Sequence, residues 1–144
     1  MNSASRVLQL FEHIWKVSSR GRRNELRAVA AFEDRSSDVP EWFFSIENAS
    51  SLQDRAGIDV VIKTDAGKVH VQIKSCQKKA DAFKADQASG HYSKDIGVAW
   101  IGEDDTPQHV RETILRAAIP EYRKLLAKIS SEHGATFISG EMAA

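Results

Sequence analysis

Cysteine is almost missing from this sequence: Cys76 is the only one in 144 residues. That excludes a disulfide framework and a cysteine-built zinc finger. An excess of charge is missing as well, with 20 basic residues against 20 acidic and a formal net charge of zero. A uniformly basic nucleic-acid coat is thereby excluded, although local basic patches are not. No hydrophobic run approaches membrane-spanning length, and the opening "MNSASRVLQLFEHIW" lacks the apolar stretch of a signal peptide. Internal repeats, low-complexity tracts and linkers are absent too. These absences predict one cytoplasmic domain over residues 1–144 that meets no membrane and takes no small-molecule cofactor. Hydrophobic residues make up 42% of the chain, enough for a domain that buries roughly 68–70% of its unfolded surface without staples.

What is present reads as an α/β alternation. Val7, Leu10, Phe11, Ile14 and Trp15 recur at helical spacing, which predicts a helix over 5–17, ended by "SSRG". A second helix is expected over roughly 22–34. Pro40 closes the next loop, "EWFFSIE" (41–47) reads as a strand, and "NASSLQDRAG" (48–57) as a polar loop. Trp15, Trp42, Phe43 and Phe44 read as core. After Cys76, itself read as a small core residue, a helix runs to about Ala88 with Gly90 as its stop, and "DIGVAWIG" (95–102) reads as a buried strand. Thr106 caps a helix that Pro107 opens, and Pro120 is expected to divide it. Tyr122, Leu125, Leu126 and Ile129 form an apolar stripe beyond it, the terminal helical region spans 107–133, and "ATFIS" (135–139) reads as an edge strand.

The stretch "GIDVVIKTDAGKVHVQIKSC" (57–76) reads as a hairpin with three misfits, Asp59, Gln72 and Lys74. Alternation places Asp59, Val61 and Lys63 on one face and Ile58, Val60 and Ile62 on the other. A two-residue loop at Asp65-Ala66 sets Asp59 across from Gln72 and diagonal to Lys74; a four-residue loop gives the same register. A three-residue loop sends these side chains to opposite faces. On the second helix Glu25 shares a face with Ala28, Val29 and Phe32, where an unpaired carboxylate is costly. Two carboxylates, an amide oxygen and a lysine converging on one sheet face is the composition of a magnesium site. Each residue also has a plain reading: a turn-side hydrogen bond for Asp59, a solubilising edge lysine for Lys74, and pairing with Arg22 or Arg23 for Glu25.

A helical Glu25, a strand Asp59 and the Gln72-x-Lys74 pair on the next strand resemble the PD-(D/E)xK nuclease superfamily. That group includes type II restriction enzymes, archaeal Holliday-junction resolvases and Mrr-type nucleases. The resemblance implies a restriction-endonuclease-like core over about 22–102, in the order helix, three-stranded meander, helix, strand. It also implies catalytic roles for Glu25, Asp59, Gln72 and Lys74. Mg2+ or Mn2+ would be held by Asp59, the Gln72 side-chain oxygen, the Ile73 carbonyl and Glu25. Lys74 would orient water or stabilise developing charge. Two departures stand out: Ile58 occupies the place of the motif's proline, and Gln72 stands where Glu is commoner. A neutral ligand lowers the charge of the site and weakens metal binding.

The partner implied is DNA. Arg20, Arg22 and Arg23 on one side and Lys78 and Lys79 on the other flank the proposed site, whereas "GEDDT" (102–106) is acidic and lies away from them in sequence. A chain of this size would act as a homodimer or with a partner subunit. The alternative is a catalytically inactive module of the same fold that binds nucleic acid or protein.

Overall fold

Alternating Val and Ile on either side of Asp65-Ala66 build the centre of a sheet. The computed structural model describes residue 6, residues 20–33 and residues 39–143. The helix expected over 5–17 lies, apart from residue 6, outside the described residues. Strands β2 (Val60–Thr64) and β3 (Gly67–Lys74) pair antiparallel, with Thr64 opposite Gly67 and Val60 opposite Val71. That is the register of the two-residue loop. The Thr64 hydroxyl closes the turn, donating to the Gly67 carbonyl (2.6 Å) and accepting from the Ala66 N–H (3.1 Å).

Strand β1 (Phe43–Asn48) flanks β2 antiparallel, and β4 (Ile96–Trp100) flanks β3 parallel, giving the order β1-β2-β3-β4. The described residues therefore form an α/β unit with a mixed four-stranded sheet and four helices. A register shift between Phe43 and Ser45 lifts Phe44 out of the ladder. Its ring is 64% exposed, not core as expected. Phe43 does face inward, stacked on Phe32 at 4.9 Å, and Trp42 stacks on Tyr122 at 4.3 Å.

Helices α1 (Arg20–Ala30) and α4 (Pro107–Ala143) cover one face of the sheet, over Val60, Ile62, Val69 and Val71. Helix α3 (Gln77–Ala88) covers the other, where Phe83 meets Ile58, Val61 and Ile96. Crossing from β3 to β4 by way of α3 is what allows those two strands to run parallel. The C-terminal end of α3 is tied to the next strand by Gln87, whose amide donates to the carbonyls of Ser93 (2.8 Å) and Ile96 (2.9 Å). Cys76 sits half-buried at the start of α3 rather than in the core. Among the described residues no helix is long and apolar enough to cross a membrane.

Several boundaries differ from expectation. Helix α1 stops at Ala30 instead of continuing to 34. The polar stretch 48–57 contains a short helix, α2 (Ser51–Arg55), nucleated by a capping box. In that box the Ser50 hydroxyl accepts from the Gln53 N–H (3.2 Å) and the Gln53 side chain accepts from the Ser50 N–H (2.8 Å). Helix α4 begins at Pro107 with Thr106 accepting from the His109 N–H (3.2 Å), as the cap predicts. It then runs unbroken through Pro120. Pro120 is exposed, so the carbonyl that loses its donor can be hydrated. Residues 135–139 continue this helix instead of forming an edge strand; a glycine at 134 costs an ongoing helix only about 1 kcal/mol. Leu126, expected in the apolar stripe, is 44% exposed.

Gly57 ends α2 and aims the chain into β2. Its φ is +87°, and a Cβ there would lie 2.8 Å from Tyr92 Cδ1 and 3.0 Å from Phe83 Cζ. Those two rings are stacked at 4.6 Å and cannot both yield. Gly57→Ala is therefore expected to lower stability by about 1–3 kcal/mol, from backbone strain and the clash together. Urea denaturation checks this; a change within about 0.5 kcal/mol, the size of a neutral surface substitution, would contradict the fit.

Candidate functional site

Asp59 stands one residue before β2, and the ladder slips there. Its N–H donates to the Val71 carbonyl (2.9 Å), although Val71 is already the partner of Val60. Ile58 consequently packs with Val61 on the α3 face, not with Val60 and Ile62 as strict alternation requires. Asp59 is thus not a ladder partner of Gln72; the last paired residues are Val60 and Val71. Its carboxylate turns to the backbone of the neighbouring strand, accepting the Ile73 N–H at 2.7 Å. N–H and C=O of one strand residue point to the same side, so the Ile73 carbonyl also faces the Asp59 side of β3.

Glu25 comes to the same place from α1. Asn48, at the end of β1, donates its side-chain N–H to the Glu25 backbone carbonyl (3.2 Å) and so fixes that turn of helix beside the start of β2. Helix α2 adds a carboxylate that the sequence reading missed. Glu25, Asp54 and Asp59 each offer an oxygen, and the three oxygens lie within 4.8 Å of one another. The sequence signal for Asp54 was the Ser50-x-x-Gln53 capping box, which puts a helix where a loop was expected.

The electrostatics follow from that crowding. Burial first, and then Asp59, push the Glu25 carboxyl up to about 7, with Arg22 at 3.8 Å acting in the opposite direction. The two carboxyl groups share a hydrogen bond. Burial raises Asp59 as well, against the Ile73 N–H, the Glu25 bond and the charge of Lys74, which all favour its ionised form.

Gln72 and Lys74 occupy the last turn of β3. Their partners on β4 are Val98 and Trp100, which share the α3 face with Ile96. Gln72 is buried, and its amide oxygen has no hydrogen-bond partner. Lys74 is half-buried, its ammonium 5.4 Å from the centre of the Phe83 ring. The expected convergence on one sheet face needs correction: Glu25 arrives from the α1 face, and Gln72 and Lys74 extend from the α3 face. What brings the groups near one another is the end of the sheet, where β2 begins and β3 finishes. Three carboxylates and an unpaired amide oxygen are hard donors of the kind divalent cations take.

The expected DNA-facing cations fare unevenly. Arg20 opens α1, and Arg22 is 60% exposed beside Glu25. Arg23 is 18% exposed and paired with Glu103 at 3.9 Å. Arg27 is buried, donating to Asn24 Oδ1 (3.1 Å) and to the carbonyls of Gly102 (3.1 Å) and Asp105 (2.8 Å). The acidic 102–106 segment, distant in sequence, is folded onto this helix, where Glu103 pairs with Arg23 and the carbonyls of Gly102 and Asp105 take Arg27. Lys78 and Lys79 stay exposed in the first turn of α3.

The raised Glu25 carboxyl has a consequence for stability without metal. A group that binds its proton more tightly when folded stabilises the fold fully below its unfolded value of 4.5, and that stabilisation is lost as pH rises through about 7. Asp59 acts in the same direction. In EDTA the protein should therefore melt lower at pH 8 than at pH 5.5, Glu25→Gln should flatten the difference, and Mn2+ should raise the melting temperature more at pH 8. A metal-free protein that melts higher at pH 8, or a Glu25→Gln profile identical to wild type, would contradict this arrangement.

Compared with protein-family models, curated proteins and solved structures, this chain has no match.

Proposed function

We propose that this chain is a metal-dependent DNA endonuclease of the PD-(D/E)xK type, its sheet and helices forming a restriction-endonuclease-like core. The observation that carries the reading is the meeting, at one end of the sheet, of the Glu25, Asp54 and Asp59 carboxylates with the end of β3 that bears Lys74. The buried, unpartnered oxygen of Gln72 supports it, because a buried amide oxygen left without a donor is costly unless a cation takes it.

Asp59, Glu25 and the Gln72 oxygen would hold Mg2+ or Mn2+, with the Ile73 carbonyl on the same side of its strand. A divalent ion so held supplies a lowered water pKa and polarises the phosphoryl oxygens. The chain's own part is to fix donors and place charge. The Ile73 N–H holds the Asp59 carboxylate in one orientation. Lys74 sets a compact positive charge beside Asp59, suited to orienting water or to stabilising charge that develops on phosphate. Its partial burial against Phe83 strengthens that charge's field.

The alternative, an inactive module of the same fold, rests on the neutral Gln72. Asp54 answers it, since a third carboxylate from α2 restores the negative charge that glutamine lacks.

Of linear duplex, single-stranded and branched DNA incubated with Mg2+ or Mn2+, at least one should be cut by wild type. Asp59→Asn and Lys74→Ala should each lower the rate by about a hundredfold or more. Asp54→Asn should weaken Mn2+ binding and regain activity at higher metal concentration. Absence of cutting by wild type with every metal and substrate, with DNA binding unchanged in the variants, would reduce the chain to a binding module.

A further inference from the structure

Among the described residues, β4 is an edge strand whose outer side no other strand covers. A groove of about 510 Å3 runs along it between α3 and α4. Lys84 and Lys94 line it on the α3 side, Arg116 on the α4 side, and Trp100 at the end of the strand. Among the described residues none of these three cations is paired with a carboxylate. Glu121, the acid in the groove, is buried and gives one oxygen to the Lys124 ammonium at 2.8 Å, an ion pair without net charge, while its other oxygen is buried without a hydrogen-bond partner. The groove therefore presents unneutralised positive charge.

Trp100 gives that charge a direction. It is 45% exposed, unusual for so large an apolar side chain at the end of a sheet. It is also the parallel-strand partner of Lys74, so the two backbones lie about 4.8 Å apart. Both side chains extend from the α3 face. An exposed indole next to the proposed phosphate-facing lysine, continuing into a groove with three free cations, is the arrangement that tracks a single strand: cations follow the phosphates and the ring stacks on a base. A duplex hides its base faces and offers the indole nothing to stack on.

We propose that the β4 edge groove binds single-stranded DNA leading away from the scissile phosphate, with Trp100 stacking on an unpaired base. This rests on the nuclease reading and narrows it: the substrate class is single-stranded or splayed DNA. A peptide strand added to the free edge of β4, or a second copy of this chain paired there, would use the backbone and leave the indole and the cations idle.

The test is fluorescence anisotropy with a labelled twenty-nucleotide oligothymidine and a labelled hairpin duplex in EDTA, which keeps both probes uncut. Wild type should bind the single strand more tightly than the duplex. Trp100→Ala should weaken that binding roughly tenfold, and Trp100→Phe should retain most of it. Lys84→Glu and Arg116→Glu should each reduce the salt dependence by about 0.7 in log–log slope. All three positions are exposed or line the open groove, and unchanged melting temperatures confirm folding. Equal affinity in Trp100→Ala, or preference for duplex, overturns the proposal. So does concentration-dependent dimerisation through β4 with DNA binding indifferent to Trp100. The two readings fail separately. Trp100-dependent binding by a wild type that never cuts with metal retains the groove and removes the nuclease. Metal-dependent cutting indifferent to Trp100 does the reverse.

Discussion

One hydrogen bond, from the Ile73 N–H to the Asp59 carboxylate at 2.7 Å, decides where this sheet opens. A backbone donor that serves a side chain no longer serves the ladder, so β2 and β3 separate at that point. Had alternation continued, Asp59 would project with Val61 toward Phe83, a carboxylate among apolar side chains. The slip gives it a charge-assisted bond, a kind that contributes about 1.5–3 kcal/mol, and brings it to the edge where α1 can reach it. The position of Asp59 relative to Glu25 depends on this exchange of one ladder bond for one side-chain bond.

Holding three carboxylates together works against the fold, and the surrounding structure is correspondingly stiff. The Ser50–Gln53 capping box keeps Asp54 on a helix of only five residues. Asn48 holds the turn that carries Glu25. Arg27, buried and bonded to three oxygens, ties the same helix to the loop after β4. Across the sheet, Gly97 lets β4 lie against α4; a Cβ there would sit 2.5 Å from the Ala117 carbonyl. Tyr122 reaches from α4 to Asp65 in the hairpin turn at 2.6 Å, so the far end of β2 and β3 is held from outside the sheet.

What could be read from the sequence was what local chemistry determines. The hairpin turn at Asp65-Ala66 was legible and its register was one of the two that the turn allowed, and the start of α4 followed from Thr106 and Pro107. Glu25, Asp59, Gln72 and Lys74 were recognisable because polar residues at apolar positions need a reason. What stayed hidden depends on tertiary placement. A ladder slip at Asp59 leaves no mark in a run of Val and Ile, so Ile58 was assigned to the wrong face. The acidic 102–106 segment lies far from α1 in sequence, and only the closed fold brings Glu103 against Arg23. Trp100 was hidden in a strand that reads as wholly buried, because which strand becomes the edge is a property of the sheet order. Pro120 misled because it falls on the exposed side of the helix, where water can take the freed carbonyl, and residues 135–139 because strand propensity is weak against a helix already running.

Phe83 touches three parts of this arrangement at once. Its ring lies against Gly57, where α2 turns toward Asp59; it stacks on Tyr92; and it supports the ammonium of Lys74. One rigid hexagon therefore lies between the turn that leads into Asp59 and the ammonium of Lys74. Trimming Phe83 would remove three supports at once: the wall against Gly57, the stack on Tyr92 and the surface beneath the Lys74 ammonium.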